Sequence, residues 1–250
     1  MPVVFVHGNP ETPVVWHRLI DELEARGVTD VVAVSPPGFG APTPPGWGAT
    51  APEYGAWLID QLGRLDGPID LVGHDWGAGH CFWVTAHAPQ LLRSVATDVT
   101  GLIHPDYVWH DAAQVWRTDG AGEEFIAGWL TTSLADRAAM FGALGVDEHA
   151  AVPMAAALDA EMGRCILALY RSAGPEYRAD LLAALERAAR PPWLVIEPGA
   201  DPYVDGDLSI EVAGRFGAPV AALGDHGHWW MIEAAPIAAD VLVEFWSGLV

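Results

Sequence analysis

Leu71-Val72-Gly73-His74-Asp75-Trp76-Gly77-Ala78-Gly79 is the stretch from which the fold can be read. Its first residues close an apolar run from Ile69, which reads as a buried strand. Gly73, Asp75 and Gly77 form a Gly-x-Asp-x-Gly turn, and Gly77–Ala88 reads as a helix. Gly and Asp favour turns for backbone reasons alone, so the turn by itself carries no chemistry. What it gives is a strand that passes through one tight bend straight into a helix.

The same alternation runs outward from it. Upstream are a buried strand at Pro2–Val6, a helix at Trp16–Arg26 (Trp16, Leu19, Ile20 and Leu23 at helical spacing) and a β-branched strand at Asp30–Ser35. A Pro/Gly-rich loop to Gly48 and a helix over Pro52–Leu65 lead back to Ile69. Downstream, Leu92–Val99 holds a strand. Strand signals then vanish over residues 104–190. That segment reads as helices at Trp109–Trp116, Glu123–Ser133, Leu134–Leu144, Ala151–Ser172 and Glu176–Ala189. Alternation returns after Pro191-Pro192, with strands at Trp193–Glu197 and Val220–Leu223 and helices at Leu208–Phe216 and Ile237–Leu249. Strands alternating with helices imply an α/β fold with a mostly parallel sheet flanked on both faces. The expected division is a core of 1–103 and 191–250 and a helical cap of 104–190.

The chain has 250 residues, 51% of them hydrophobic, enough for one globular unit with an inserted subdomain. Twelve basic against 33 acidic residues leave a formal charge of −21. Such a surface repels phosphate backbones and anionic lipid, which argues against nucleic-acid or membrane partners. Cys81 and Cys165 lack CxxC spacing and read as free buried thiols. No signal peptide or transmembrane run is visible, so a cytoplasmic location is expected.

The turn around Asp75, His7-Gly8-Asn9-Pro10 at the end of the first strand, and Gly227-His228-Trp229 near the C-terminus occur together in the order found in α/β-hydrolases. His-Gly-x-Pro with Gly-His-Asp-Trp-Gly resembles the epoxide hydrolase and haloalkane dehalogenase branch of that superfamily. The resemblance covers nearly the whole chain, with residues 104–190 lying where the fold carries its cap. Members usually have two strands before the His-Gly-x-Pro strand, so a sheet about two short of the usual eight is expected. The resemblance makes the bend at Asp75 the nucleophile elbow, with Asp where other members carry Ser. A carboxylate attacking an acyl carbon gives an anhydride, which lies uphill. Attacking a saturated carbon it gives an ordinary ester, which water can cleave. Asp75 therefore points to epoxide opening or halide displacement.

The resemblance assigns the other roles. His228 is the general base, with His226 the competing histidine nearby; an unperturbed pKa near 6.5 suits that task. Asp201, in Pro198-Gly199-Ala200-Asp201-Pro202, is favoured as the acid that orients it. Asp98, after the preceding strand, is the alternative, and Glu197 and Asp205 are more remote ones. The N–H groups at Trp76 and around Asn9 would form the oxyanion hole, and their side chains are candidates to hold a leaving halide. Tyr170, in Leu169-Tyr170-Arg171, resembles the cap tyrosine that protonates an epoxide oxygen; Tyr107 and Tyr177 are candidates for its usual partner.

Fluoroacetate-type relatives place arginines around the elbow. Here Trp76, Gly79 and His80 stand there and Arg93 lies well beyond, so an anionic substrate is not expected. Among 12 tryptophans, Trp109, Trp116 and Trp129 in the cap could line an apolar pocket. No histidine and carboxylate spacing suggests a metal, no Gly-rich phosphate loop occurs, and the reaction needs no cofactor. The expected activity is hydrolysis of an apolar epoxide, with a haloalkane as the runner-up substrate and a non-catalytic ligand-binding relative as the rival from another class. The expected partner is a small apolar substrate; a homodimer stays open.

Overall fold

A computed structural model describes residues 1–249. Six parallel strands make one sheet: β1 (Val3–Val6), β2 (Val31–Val34), β3 (Ile69–Gly73), β4 (Leu92–Thr97), β5 (Trp193–Glu197) and β6 (Val220–Ala222), in the order β2-β1-β3-β4-β5-β6. The count is the shortened one that the sequence implies. β1 (Val-Val-Phe-Val) and the Trp193–Ile196 part of β5 read as unbroken apolar runs because both faces are covered, while β3 and β4 carry Asp70, Arg93 and Ser94, which pair with one another. In β5, Leu194 and Ile196 enter one core cluster while Trp193 and Val195 enter the other.

The first face is covered by α1 (His17–Ala25) and, at the end of the chain, by the helix Ala235–Ser247, through Leu19, Leu23, Leu242 and Trp246. The second carries α2 (Ala51–Leu62) and α3 (Trp76–His87), through Leu58, Leu62, Cys81 and Phe82. Thr50 and Glu53 start α2 as a reciprocal capping box, each side chain bonding the other's backbone N–H.

Between β4 and β5 run α4 (Asp111–Arg117), α5 (Ala121–Thr131), α6 (Leu134–Ala143), α7 (Glu148–Ala157), α8 (Ala160–Ser172) and α9 (Pro175–Arg187). The single helix expected over Ala151–Ser172 is two helices. Asp159 accepts the Met162 N–H at 2.8 Å and caps α8, so the chain turns there. The six helices do not pack as one body. Trp116, Ile126 and Met162, from α4, α5 and α8, cluster with Phe39, Tyr54 and Trp76 above the carboxyl ends of the strands. Phe141 and Met154, from α6 and α7, join the first core face. Leu181, Leu182 and Leu185 of α9 pack in the second core cluster with α3. After β5 come α10 (Gly206–Phe216), α11 (Trp230–Glu233) and α12, the Ala235–Ser247 helix. Among the described residues, no helix is long and apolar enough to cross a membrane.

Candidate active site

Asp75 sits between β3 and α3 with φ of +52°, a backbone region costly for a residue with a Cβ. The bend requires close approach on both sides. A Cβ on Gly77 would lie 2.0 Å from the Val6 carbonyl oxygen, and one on Gly8 would lie 2.0 Å from Asp75 Oδ1. These two contacts explain why glycines flank the carboxylate in space. The Asn9 backbone N–H donates to Asp75 Oδ1 at 2.9 Å. The Asn9 side-chain Nδ2 stands 3.5 Å from the same oxygen and 3.4 Å from the Tyr170 hydroxyl. The N-terminus of α3 lies beside the carboxylate and favours its negative charge.

His228 closes the other side. Its Nδ1 is 2.8 Å from Asp201 Oδ2, and its Nε2 is 3.9 Å from Asp75 Oδ2. The Tyr203 N–H holds the second Asp201 oxygen at 2.8 Å. His226 faces Glu233 at 4.0 Å instead of Asp75. Burial pushes the Asp75 carboxyl up to about 6, against the His228 and His74 charges and the Asn9 N–H that pull it down. Burial alone would lower His228, but the Asp201 charge and hydrogen bond outweigh it and hold the imidazole above its ordinary value. Burial likewise opposes Asp201 ionisation, yet His228 and the Tyr203 N–H keep Asp201 below the usual carboxylate range.

Asp98 turns elsewhere. It pairs with His74 Nδ1, accepts the Asp75 N–H at 3.0 Å and accepts Trp230 Nε1–H at 2.6 Å. His74 Nε2 is 3.1 Å from Glu11 Oε1, and Glu11 also accepts from Trp229 Nε1 at 2.7 Å and from the Gly8 N–H at 3.0 Å. All three side chains are fully buried. Each carboxylate oxygen here accepts from a tryptophan or backbone N–H, a group that can only donate. His74 faces them with both nitrogens, an arrangement that favours the imidazolium. The charges of Asp98 and Glu11 raise it well above its ordinary value against the opposing effect of burial. Burial opposes Glu11 ionisation, but the His74 charge and hydrogen bond bring Glu11 down to about 2. This cluster ties four loops of the site together. The sequence reading missed Glu11 and His74. Ligand atoms of Glu11, His74 and His228 lie within 4.8 Å of one another. Both His74 nitrogens are already engaged, Nδ1 by Asp98 and Nε2 by Glu11, so the trio does not fit a metal.

Two cavities meet at Asp75. The larger, about 120 Å³, is lined by Asn9, Asp75 and His228 at one end and by Trp116, Phe125 and Trp129 at the other. The smaller, about 20 Å³, is bounded by Trp76, Leu102, Tyr107 and Trp109. Tyr170 and two residues that sequence reasoning did not single out, His110 and Tyr203, border both. An aromatic two residues after Asp201 was the available signal for Tyr203. Its ring lies 4.8 Å from that of His228, edge to face. His110 caps α4, its Nδ1 accepting the Ala113 N–H at 3.3 Å. Trp76 packs edge-on to Tyr170 at 5.3 Å. Of the two partner candidates for Tyr170, Tyr107 lines the small cavity, whereas Tyr177 stacks on Trp83 at 6.0 Å and lines neither. Cys81 and Cys165 are both free and buried.

Comparison with known proteins agrees with the architecture. The family model for the alpha/beta hydrolase fold matches residues 1–124. A cis-3-alkyl-4-alkyloxetan-2-one decarboxylase of Xanthomonas campestris pv. campestris is 32% identical over 117 residues, 41% of this chain. The match spans only 37% of that relative's own length. Among solved structures, the loop variant DbeA-M1 of a haloalkane dehalogenase from Bradyrhizobium elkanii is 21% identical, with a TM-score of 0.74 over 99% of this chain and 89% of the other. E-2-(acetamidomethylene)succinate hydrolase is 20% identical, with a TM-score of 0.71 over 99% and 92%. At such identities the structural likeness speaks for the fold alone.

Proposed function

We propose that this protein is an α/β-hydrolase that opens an apolar epoxide to a diol through an ester on Asp75, a reading supported by the family match over residues 1–124 and by the Asn9 N–H held on that carboxylate. One observation carries the reading. The Asn9 amide lies within 3.5 Å of both the Asp75 carboxylate and the Tyr170 hydroxyl, so a nucleophile and a proton donor share one end of an otherwise apolar cavity.

The cycle follows from which atoms are already engaged. Asp75 Oδ1 is held by the Asn9 N–H, so Oδ2 attacks the ring carbon. The C–O bond breaks, and Tyr170 hydrogen-bonds and protonates the leaving oxygen. His228, oriented by Asp201, then takes a proton from water, which attacks the Asp75 carboxyl carbon. The 3.9 Å between His228 Nε2 and Asp75 Oδ2 is longer than a hydrogen bond, which supports an imidazole free to take its proton from water. Oδ1 becomes the oxyanion, stabilised by the N–H groups of Asn9 and Trp76. The tetrahedral intermediate collapses as the protonated His228 gives its proton to the departing alkoxide, which leaves as the diol, and the proton left on the Asp75 carboxyl restores the Tyr170 phenol and regenerates the carboxylate. The substrate in the name of the matching decarboxylase, an oxetan-2-one, is likewise a strained oxygen ring.

A second reading keeps Asp75 and His228 and makes the substrate a haloalkane. The Asn9 side-chain amide beside Asp75 favours it, since halide departure needs N–H donors but no proton. Incubation with an aryl epoxide and a bromoalkane, following diol and bromide separately, decides between them. Diol without bromide supports the first, and bromide without diol reverses the order. Neither product, with ligand retained, points to a non-catalytic binding protein.

A further inference from the structure

Asp75 stands between two cavities of very unequal size. The larger is about 120 Å³, walled by Trp116, Phe125, Trp129, Met140, Phe141 and Leu144. The smaller is about 20 Å³, walled by Val99, Leu102, Tyr107 and Val204. Roughly 10–15 Å³ holds one water, and an apolar cavity of about 150 Å³ takes benzene. The larger space therefore matches one phenyl-sized group and the smaller a single heavy atom. His110, Tyr170 and Tyr203 border both spaces, with His110 5.0 Å from Tyr203 and 6.4 Å from Tyr170 between ring centroids. These rings form the partition.

The small cavity resists enlargement. Leu102 is 8% exposed and Val99 is 6% exposed. Leu102 lies in a 3-10 turn, Thr100–Ile103, whose Gly101 N–H is bonded to Ser209 Oγ at 3.0 Å. A Cβ on Gly101 would lie 2.9 Å from the Val204 side chain, so this wall is already in tight contact with the loop opposite. Pushing a phenyl ring into it would overpack a closed contact.

We propose that this site selects epoxides with one phenyl-sized substituent, the second ring carbon bearing hydrogen or at most a methyl group. The inference rests on the epoxide reading above and adds a size rule to it. The large apolar arm lies against the aromatic wall, and the small cavity accepts only the ring oxygen or that methyl.

Three probes test the rule: styrene oxide, trans-β-methylstyrene oxide and trans-stilbene oxide. The first two are expected to be turned over within about tenfold of each other, and the third at least about a hundredfold more slowly in kcat/KM. Leu102→Ala and, separately, Val204→Ala widen the small cavity without touching the reacting groups. Each is expected to raise turnover of the β-ethyl homologue at least about tenfold relative to styrene oxide. Comparable rates on stilbene oxide and styrene oxide in the unmodified protein overturn the size rule while leaving the epoxide reading intact. Absence of diol from every probe removes the epoxide reading, and the size rule falls with it.

Discussion

His228 Nδ1 lies 2.8 Å from Asp201, and this pairing, rather than one with Asp98, aligns the imidazole with Asp75. Asp201→Asn leaves the ring without a fixed tautomer and is expected to lower kcat by about 10³–10⁴ with little change in folding. Asp98→Asn breaks a buried ion pair and is expected to show first as lost thermal stability. Steady-state kinetics and thermal unfolding of the two variants separate these outcomes. Equal kinetic damage from Asp98→Asn at unchanged stability would reverse the assignment.

Asp75 must be ionised to attack, and burial holds its carboxyl at about 6. The acid limb of the kcat/KM profile is therefore expected near pH 6, well above an ordinary carboxylate. The sign for stability is opposite to that of a salt-bridged acid. A raised carboxyl costs folding free energy that builds up as pH rises from the unfolded value near 4 and is complete above 6. Asp75→Asn is thus expected to raise Tm relative to the unmodified protein at pH 8, and by less at pH 4. The reverse ordering contradicts the burial argument.

Glu11 has a lowered carboxyl, at about 2, and no exposure to solvent. Its contribution is present above the unfolded value near 4.5 and is lost as pH falls toward 2. Glu11→Gln leaves the His74 imidazolium half paired and is expected to cost about 3–5 kcal/mol at pH 7. Denaturant unfolding measures this, and a loss under about 1 kcal/mol would mean that His74 is neutral.

Tyr170 is buried beside Asn9. Tyr170→Phe is expected to slow epoxide opening about a hundredfold while leaving any bromide release unchanged. Unaltered diol formation removes the proton-donor role.

Much of this was legible in the chain because it is local. The bend at Asp75 is written in adjacent glycines, and His228 follows a glycine before an apolar helix. The division of the inserted segment was less visible, since Asp159 reads as one polar residue in a helical run until its cap to Met162 is seen. The buried cluster was hidden for a different reason. Glu11, His74 and Asp98 lie far apart in sequence, and a histidine next to the nucleophile looks like part of the turn. Only the sheet order, with β1 beside β3 and β3 beside β4, brings them together. Asp98 drew notice for the wrong partner, because a strand-end carboxylate can turn to either histidine.

The covalent ester on Asp75 is the central claim, and intact-protein mass spectrometry tests it most directly. His228→Gln incubated with styrene oxide is expected to gain the mass of one substrate molecule, located by proteolysis on the peptide containing Asp75, and Asp75→Ala is expected to gain nothing. An unshifted mass for His228→Gln while the unmodified protein forms diol would contradict the account.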